Sequence, residues 1–237
     1  MTNVTSGTSK NHMSDNMSDR MPNRMIVIDG IDGSGKGVQS RQLLQSFLDA
    51  GESAILTREP GGSPAAEDIR QLLVKGDPQK WDDMTELLLM YAARRSHLRD
   101  TIWPALAEKT WVISDRYADS SRAFQGVAGN LGLDTVERIH RLVVGDFEPA
   151  LVIILDLPET IALARTRARG DDEDRFENKG ADYHARVRAA FRHIASTNPS
   201  LYRVVDADRD IAEVSEDIRQ TINAHFSLQL TSTPATP

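Results

Sequence analysis

MIVIDGIDGSGKG, residues 25–37, decides the architecture. Its first five residues are a continuous apolar and β-branched run. They give way to a turn carrying Gly30, Gly33, Gly35 and Gly37, and the helix-prone VQSRQLLQSFL follows. A run without polar alternation is the mark of a strand buried on both faces of a parallel sheet. Four more runs of this kind stand downstream: SAILT (53–57), WVISD (111–115), LVIILD (151–156) and YRVVDA (202–207). Helical stripes fall between them: Leu43, Leu44, Phe47 and Leu48; Ile69, Leu72 and Leu73; Met84, Leu87, Leu88 and Tyr91. Two later stripes are Tyr183, Val187, Phe191 and Ile194, then Ile211, Val214, Ile218 and Ile222. Each stripe is expected to pack into the core. The alternation predicts an α/β fold, a five-stranded parallel sheet with helices on both faces, right-handed crossovers and ligands at the carboxyl ends of strands.

The rest of the chain sets bounds on that domain. Among 237 residues, 40% are hydrophobic and 27% charged, and the net charge is −7. That acidity argues against a dedicated nucleic-acid binder, which carries a basic face. With no cysteine, a disulfide framework, a thiolate metal site and a cysteine nucleophile are excluded. No apolar run is long enough to span a bilayer, so a cytoplasmic globular protein is expected. Residues 1–24 are polar and aperiodic, and 227–237 are rich in Ser, Thr and Pro. Both ends are expected to be frayed tails around a single domain at 25–226.

The turn itself carries chemistry. Gly30-Ile31-Asp32-Gly33-Ser34-Gly35-Lys36 has the G-x-x-x-x-G-K spacing of a phosphate-binding loop. Glycines let backbone N–H groups turn inward and approach phosphate oxygens. The helix that follows adds its N-terminal dipole, and Lys36 supplies a point charge to the β- and γ-phosphates of a nucleoside triphosphate. The full pattern ends in Ser or Thr, whose hydroxyl binds Mg²⁺; here Gly37 stands in that place.

Further motifs appear in order: TREPGG (57–62), MYAAR (90–94), SDRY (114–117), SSRAFQG (120–126) and RARG…DRFE (167–177). Together with the loop they resemble thymidylate kinases over nearly all of residues 25–226. The resemblance implies a P-loop nucleoside monophosphate kinase fold with a lid at about 167–180. It also implies ATP-dependent phosphorylation of dTMP to dTDP with Mg²⁺, and a homodimer, since the family commonly pairs through helices beside the sheet. Such an enzyme brings two polyanions face to face, so catalysis is mainly positioning and charge neutralisation. Lys36, Arg58, Arg70, Arg94, Arg116 and Arg175 are the suitable cations, set at strand ends and loops.

Asp115 closes an apolar strand, where a carboxylate can hold Mg²⁺ or its water shell, and the next residue, Arg116, can clamp a phosphate through two N–H groups. The resemblance assigns Arg116 and Arg70 to the acceptor phosphate and Asp32 to the neighbourhood of the acceptor sugar and the metal. Asp29 is the other carboxylate available to the metal shell. Met90 and Arg94, four apart on one helix face, fall where the family stacks and reads thymine. Phe124 matches an aromatic lying under the sugar, and Ser121 can reach the base edge. Ser34 leaves no arginine in the loop, and the resemblance to bacterial-type members then implies a charge-stabilising arginine from the lid, Arg175 with Arg169 in reserve.

Two departures from the family pattern stand out. Gly37 lacks the metal-binding hydroxyl, a feature shared with adenylate kinases. Met90 replaces the usual aromatic with a flexible thioether. They keep two alternatives open: another nucleoside monophosphate kinase, or a nucleotide-binding sensor with weakened transfer.

Overall fold

The computed structural model describes residues 23–232, apart from 78 and 170–178. Strand β1 (Met25–Gly30) is wholly buried and continues through the glycine turn into helix α1 (Lys36–Asp49). Next come β2 (Ala54–Arg58), α2 (Pro64–Val74) and α3 (Asp83–His97), which runs on through a π-helical turn at Leu98–Ile102 into α4 (Trp103–Ala107). β3 (Trp111–Asp115) leads to the short α5 (Ala118–Ser121) and a second π-helical stretch, Arg122–Ala128. The remaining elements are α6 (Leu133–Val143), β4 (Leu151–Asp156), α7 (Glu159–Arg169), α8 (Ala181–Thr197), β5 (Tyr202–Asp206) and α9 (Ile211–Phe226).

All five expected strands form, and they lie parallel in the order β2-β3-β1-β4-β5. β1 sits between β3 and β4, with Ile28 opposite both Asp115 and Ile153. Met25, Ile26, Val27 and Ile28 are fully shielded, as are Val112, Ile113, Val152 and Ile153. This explains why those runs show no polar alternation. From β1 the chain crosses to β2, whereas from the adjacent β3 it crosses the other way to β4, leaving a crevice at the carboxyl ends of β1 and β3, the usual ligand position in such sheets. Gly30, Arg58 and Asp115 all end strands on that edge.

The helical stripes are only partly core. Leu43, Phe47, Leu87, Tyr91, Val187, Phe191, Ile218 and Ile222 are buried. Leu48, Leu72, Met84, Leu88 and Ile211 are instead exposed, Leu88 by 53%.

The ends also differ from expectation. Arg24 donates to the Lys109 carbonyl (2.7 Å) and lies over the Trp111 ring, so it belongs to the fold. Leu230 is buried, and its N–H and carbonyl both bond the Asn223 side chain (2.8 and 2.9 Å). The frayed end expected from 227 therefore does not hold as far as Leu230. Residues 1–22 and 233–237 lie outside the described residues.

Candidate active site

Two glycines of the turn, Gly30 and Gly33, sit against backbone carbonyls that leave no room for a side chain. Gly33 has φ +80, and a Cβ there would run into the Ala162 carbonyl of α7. Gly30 and Gly35 also have positive φ, the region open to glycine. Lys36 is buried, with Nζ donating to the Ile31 carbonyl at 2.8 Å. Burial, and then the nearby Arg116, lower its pKa to about 8 against the pull of Asp32, Asp115 and Asp29. Ser34 Oγ is buried without a hydrogen-bond partner among the described residues. A loop with an orphaned hydroxyl and a buried ammonium fits an anion that would satisfy both.

Arg116 follows β3 in a left-handed conformation, φ +73, uncommon for a residue with a side chain. Its N–H donates to the Ile28 carbonyl (3.0 Å), and the Ser114 hydroxyl donates to its carbonyl (2.7 Å), fastening the turn. The guanidinium bonds the Gly30 carbonyl (2.9 Å), Ser120 Oγ (3.1 Å) and Asp32, and lies 5.3 Å from the centre of the Phe124 ring. Burial opposes its charge, yet Asp32, Asp29 and Asp115 outweigh that and raise its pKa. Asp29 beneath it is fully buried, and this desolvation lifts its pKa to about 6 despite Arg116.

A second cation is held on α3. Arg94 is 2% exposed; its Nε donates to Glu59 Oε2 (2.7 Å), and its Nη2 to the Tyr117 carbonyl (3.0 Å) and Ser121 Oγ (3.1 Å). Its Nη1 is buried with no partner among the described residues. Glu59 also meets His97 Nδ1 at 3.1 Å, and His97 Nε2 meets Thr57 Oγ1 at 2.6 Å. Burial works against the Glu59 charge, but Arg94 and His97 hold its pKa below the ordinary value. Gly62 closes this chain, because a Cβ there would strike both His97 and Thr57.

These groups surround one cleft of about 460 Å³, lined by Asp32, Gly33, Gly35, Lys36, Gly37, Arg58, Arg70, Met90, Arg94, Asp115, Arg116, Ser121 and Phe124. A cavity of this size suits a small ligand. Met90 is half-buried on the wall, outside the core. Arg58 is more exposed and pairs with Glu67 (3.2 Å), while Arg70 donates to the Pro60 carbonyl (2.7 Å). Of the remaining loop residues, Ile31 joins the hydrophobic core. Arg175 lies outside the described residues, as does the Arg169 side chain. Sequence reasoning missed Glu59, Tyr117, Ser120 and Gln125, which also line the cleft. Glu59 and Gln125 stood inside quoted motifs, but only the fold shows which way they act.

Gly37 faces Asp115 across the floor of the cleft: a Cβ would lie 3.5 Å from Asp115 Oδ2 and from Arg41 Nη1. Among the described residues no group of three or more His, Asp or Glu is arranged to hold a metal. Hard carboxylate oxygens beside a phosphate loop nevertheless fit Mg²⁺, which takes one or two carboxylates together with phosphates and water. No helix among the described residues is long and apolar enough to cross a membrane.

Comparison with known proteins gives a consistent result. The family model described as thymidylate kinase matches residues 28–218. The thymidylate kinase of Dinoroseobacter shibae is 49% identical over 197 residues, covering 83% of this chain and 95% of the relative. That of Caulobacter vibrioides is 44% identical over 203 residues, covering 86% and 97%. The crystal structure of thymidylate kinase from Ehrlichia chaffeensis superposes with a TM-score of 0.66 at 31% identity, covering 84% of this chain and 97% of that one.

Proposed function

The chain belongs to the thymidylate kinase family, and from that premise we propose how its own residues serve the transfer. The protein is a transferase that uses ATP to phosphorylate dTMP to dTDP, a step toward DNA precursors. Its substrates are dTMP and ATP.

In the proposed arrangement the triphosphate lies along residues 30–37, its oxygens meeting backbone N–H groups and the Lys36 ammonium. The acceptor phosphate meets Arg116 and Arg70, with Arg58 at the rim. Supporting this, Arg116 and Lys36 line the same cleft, and burial, with Arg116 adding to it, lowers the Lys36 pKa. A buried ammonium beside a second cation gains from an anion placed between them. The base lies against Met90 with the sugar over Phe124, and the unpartnered Arg94 Nη1 supplies a donor to a base oxygen. Ser121 orients Arg94 in this reading, since its Oγ already accepts from Nη2.

Mg²⁺ would be held by Asp115 with phosphate oxygens and water, Asp32 lying close by; when bound, it neutralises charge on the phosphates. Arg175, with Arg169 in reserve, is proposed as the lid cation. The exposed Leu72, Met84, Leu88 and Leu142 lie on α2, α3 and α6. They support pairing with a second copy, which light scattering would read as a mass near twice 26.3 kDa. A cytoplasmic location agrees with this chemistry, and cell fractionation checks it.

The observation that carries the proposal is the convergence of Lys36, Arg116, Arg94 and Asp115 on one cleft. A coupled assay of ADP release with dTMP, dUMP, AMP and UMP tests it. Fastest release with dTMP supports the reading; equal rates with AMP overturn the assignment of Met90 and Arg94 to the base.

A further inference from the structure

Behind the base end of the cleft lies a buried carboxylate that the mechanism above does not use. Glu86, on α3, is fully buried. Gln125, 1% exposed in the π-helical stretch, donates from Nε2 to Glu86 Oε1 at 2.7 Å. Lys179 brings its ammonium within 3.3 Å of Glu86 Oε2 and 3.4 Å of Oε1, balancing the carboxylate. The same ammonium lies 5.0 Å from the centre of the Tyr183 ring, and the Tyr183 hydroxyl donates to the Phe124 carbonyl (3.0 Å). Gln125 Oε1 is buried with no hydrogen-bond partner among the described residues, and Gln125 lines the cleft.

We propose that Glu86 is a positioning residue that fixes the orientation of the Gln125 carboxamide and thereby sets the choice between acceptor bases. An ionised carboxylate only accepts hydrogen bonds, whereas a carboxamide has a donating end and an accepting end. Glu86 therefore takes the NH₂ end, and the Gln125 oxygen is left as the end available to a ligand. An acceptor held there suits a base with an N–H at its ring edge, such as thymine. Cytosine carries a lone pair at the equivalent ring nitrogen and would set acceptor against acceptor. A buried polar atom left unpaired by the wrong ligand is a strong source of discrimination.

The inference rests on the reading of this cleft as the dTMP site. Glu86→Gln tests it, because a carboxamide at 86 can present either end and so releases Gln125 to turn. The expected result is that kcat/KM for dTMP falls about tenfold while that for dCMP holds or rises, so the ratio of the two falls about tenfold. A folded variant whose ratio stays within twofold of the parent overturns the proposal. So does a parallel loss with both substrates, since damage to the fold lowers both alike. If Glu86→Gln does not fold, Glu86→Gln with Lys179→Met removes both charges together, and the same ratio decides. Should the dTMP-site reading itself be wrong, the parent enzyme would show no preference for dTMP over dCMP, a result separable from an unchanged ratio in the variant.

Discussion

Arg94 and Glu59 form a buried pair at 2.7 Å, with side-chain exposures of 2% and 5%, joining the long helix to the end of β2. Removing one partner of such a pair leaves an uncompensated charge, at a cost of about 3–5 kcal/mol. Glu59→Gln should lower thermal stability by that order and raise KM for dTMP about tenfold, because Arg94 loses the carboxylate that aims it. Calorimetry and steady-state kinetics check this. An unchanged KM would detach Arg94 from the base.

Lys36 carries a prediction about pH. Its pKa is lowered to about 8, mainly by burial. Below that value the ammonium is charged and attracts phosphate; as pH rises through it, the free enzyme loses the charge. kcat/KM for ATP should therefore fall above about pH 8. Lys36→Arg should move this limb upward, because a guanidinium stays protonated. A profile flat to pH 10 in the parent would contradict the reading.

Gly37 leaves room for a side chain, with neighbours at ordinary contact distance, 3.5 Å. Gly37→Ser should fold at least as stably, as glycine is a poor helix former by about 0.5–1 kcal/mol. Its hydroxyl should reduce the Mg²⁺ needed for half-maximal rate by several-fold. An unchanged Mg²⁺ titration would place the metal away from Gly37 and Asp115.

Met90 offers a base only a flexible thioether. Met90→Phe should lower KM for dTMP about three- to tenfold, the worth of an aromatic stacking contact of about 0.5–1.5 kcal/mol. No change would remove Met90 from the base platform.

Much of the fold was legible because strands buried on both faces must be apolar throughout: MIVID, WVISD and LVIILD state their own positions. The glycine turn was equally readable, since Gly30, Gly33 and Gly35 answer to backbone geometry. Apolar stripes were less informative. Leu88 and Tyr91 look alike in sequence, yet Tyr91 is buried and Leu88 is 53% exposed. Periodicity reports a face, not what covers it. Glu59, Glu86 and Gln125 stayed hidden because their roles depend on partners 35 or 39 residues away in the chain.

A crystal structure with dTMP and a non-hydrolysable ATP analogue is the most direct measurement. The triphosphate is expected along residues 30–37 against Lys36, the dTMP phosphate on Arg70 and Arg116, and the base against Met90 with Arg94 at its edge. A dTMP phosphate bound away from Arg116, or a triphosphate away from Lys36, would contradict that arrangement.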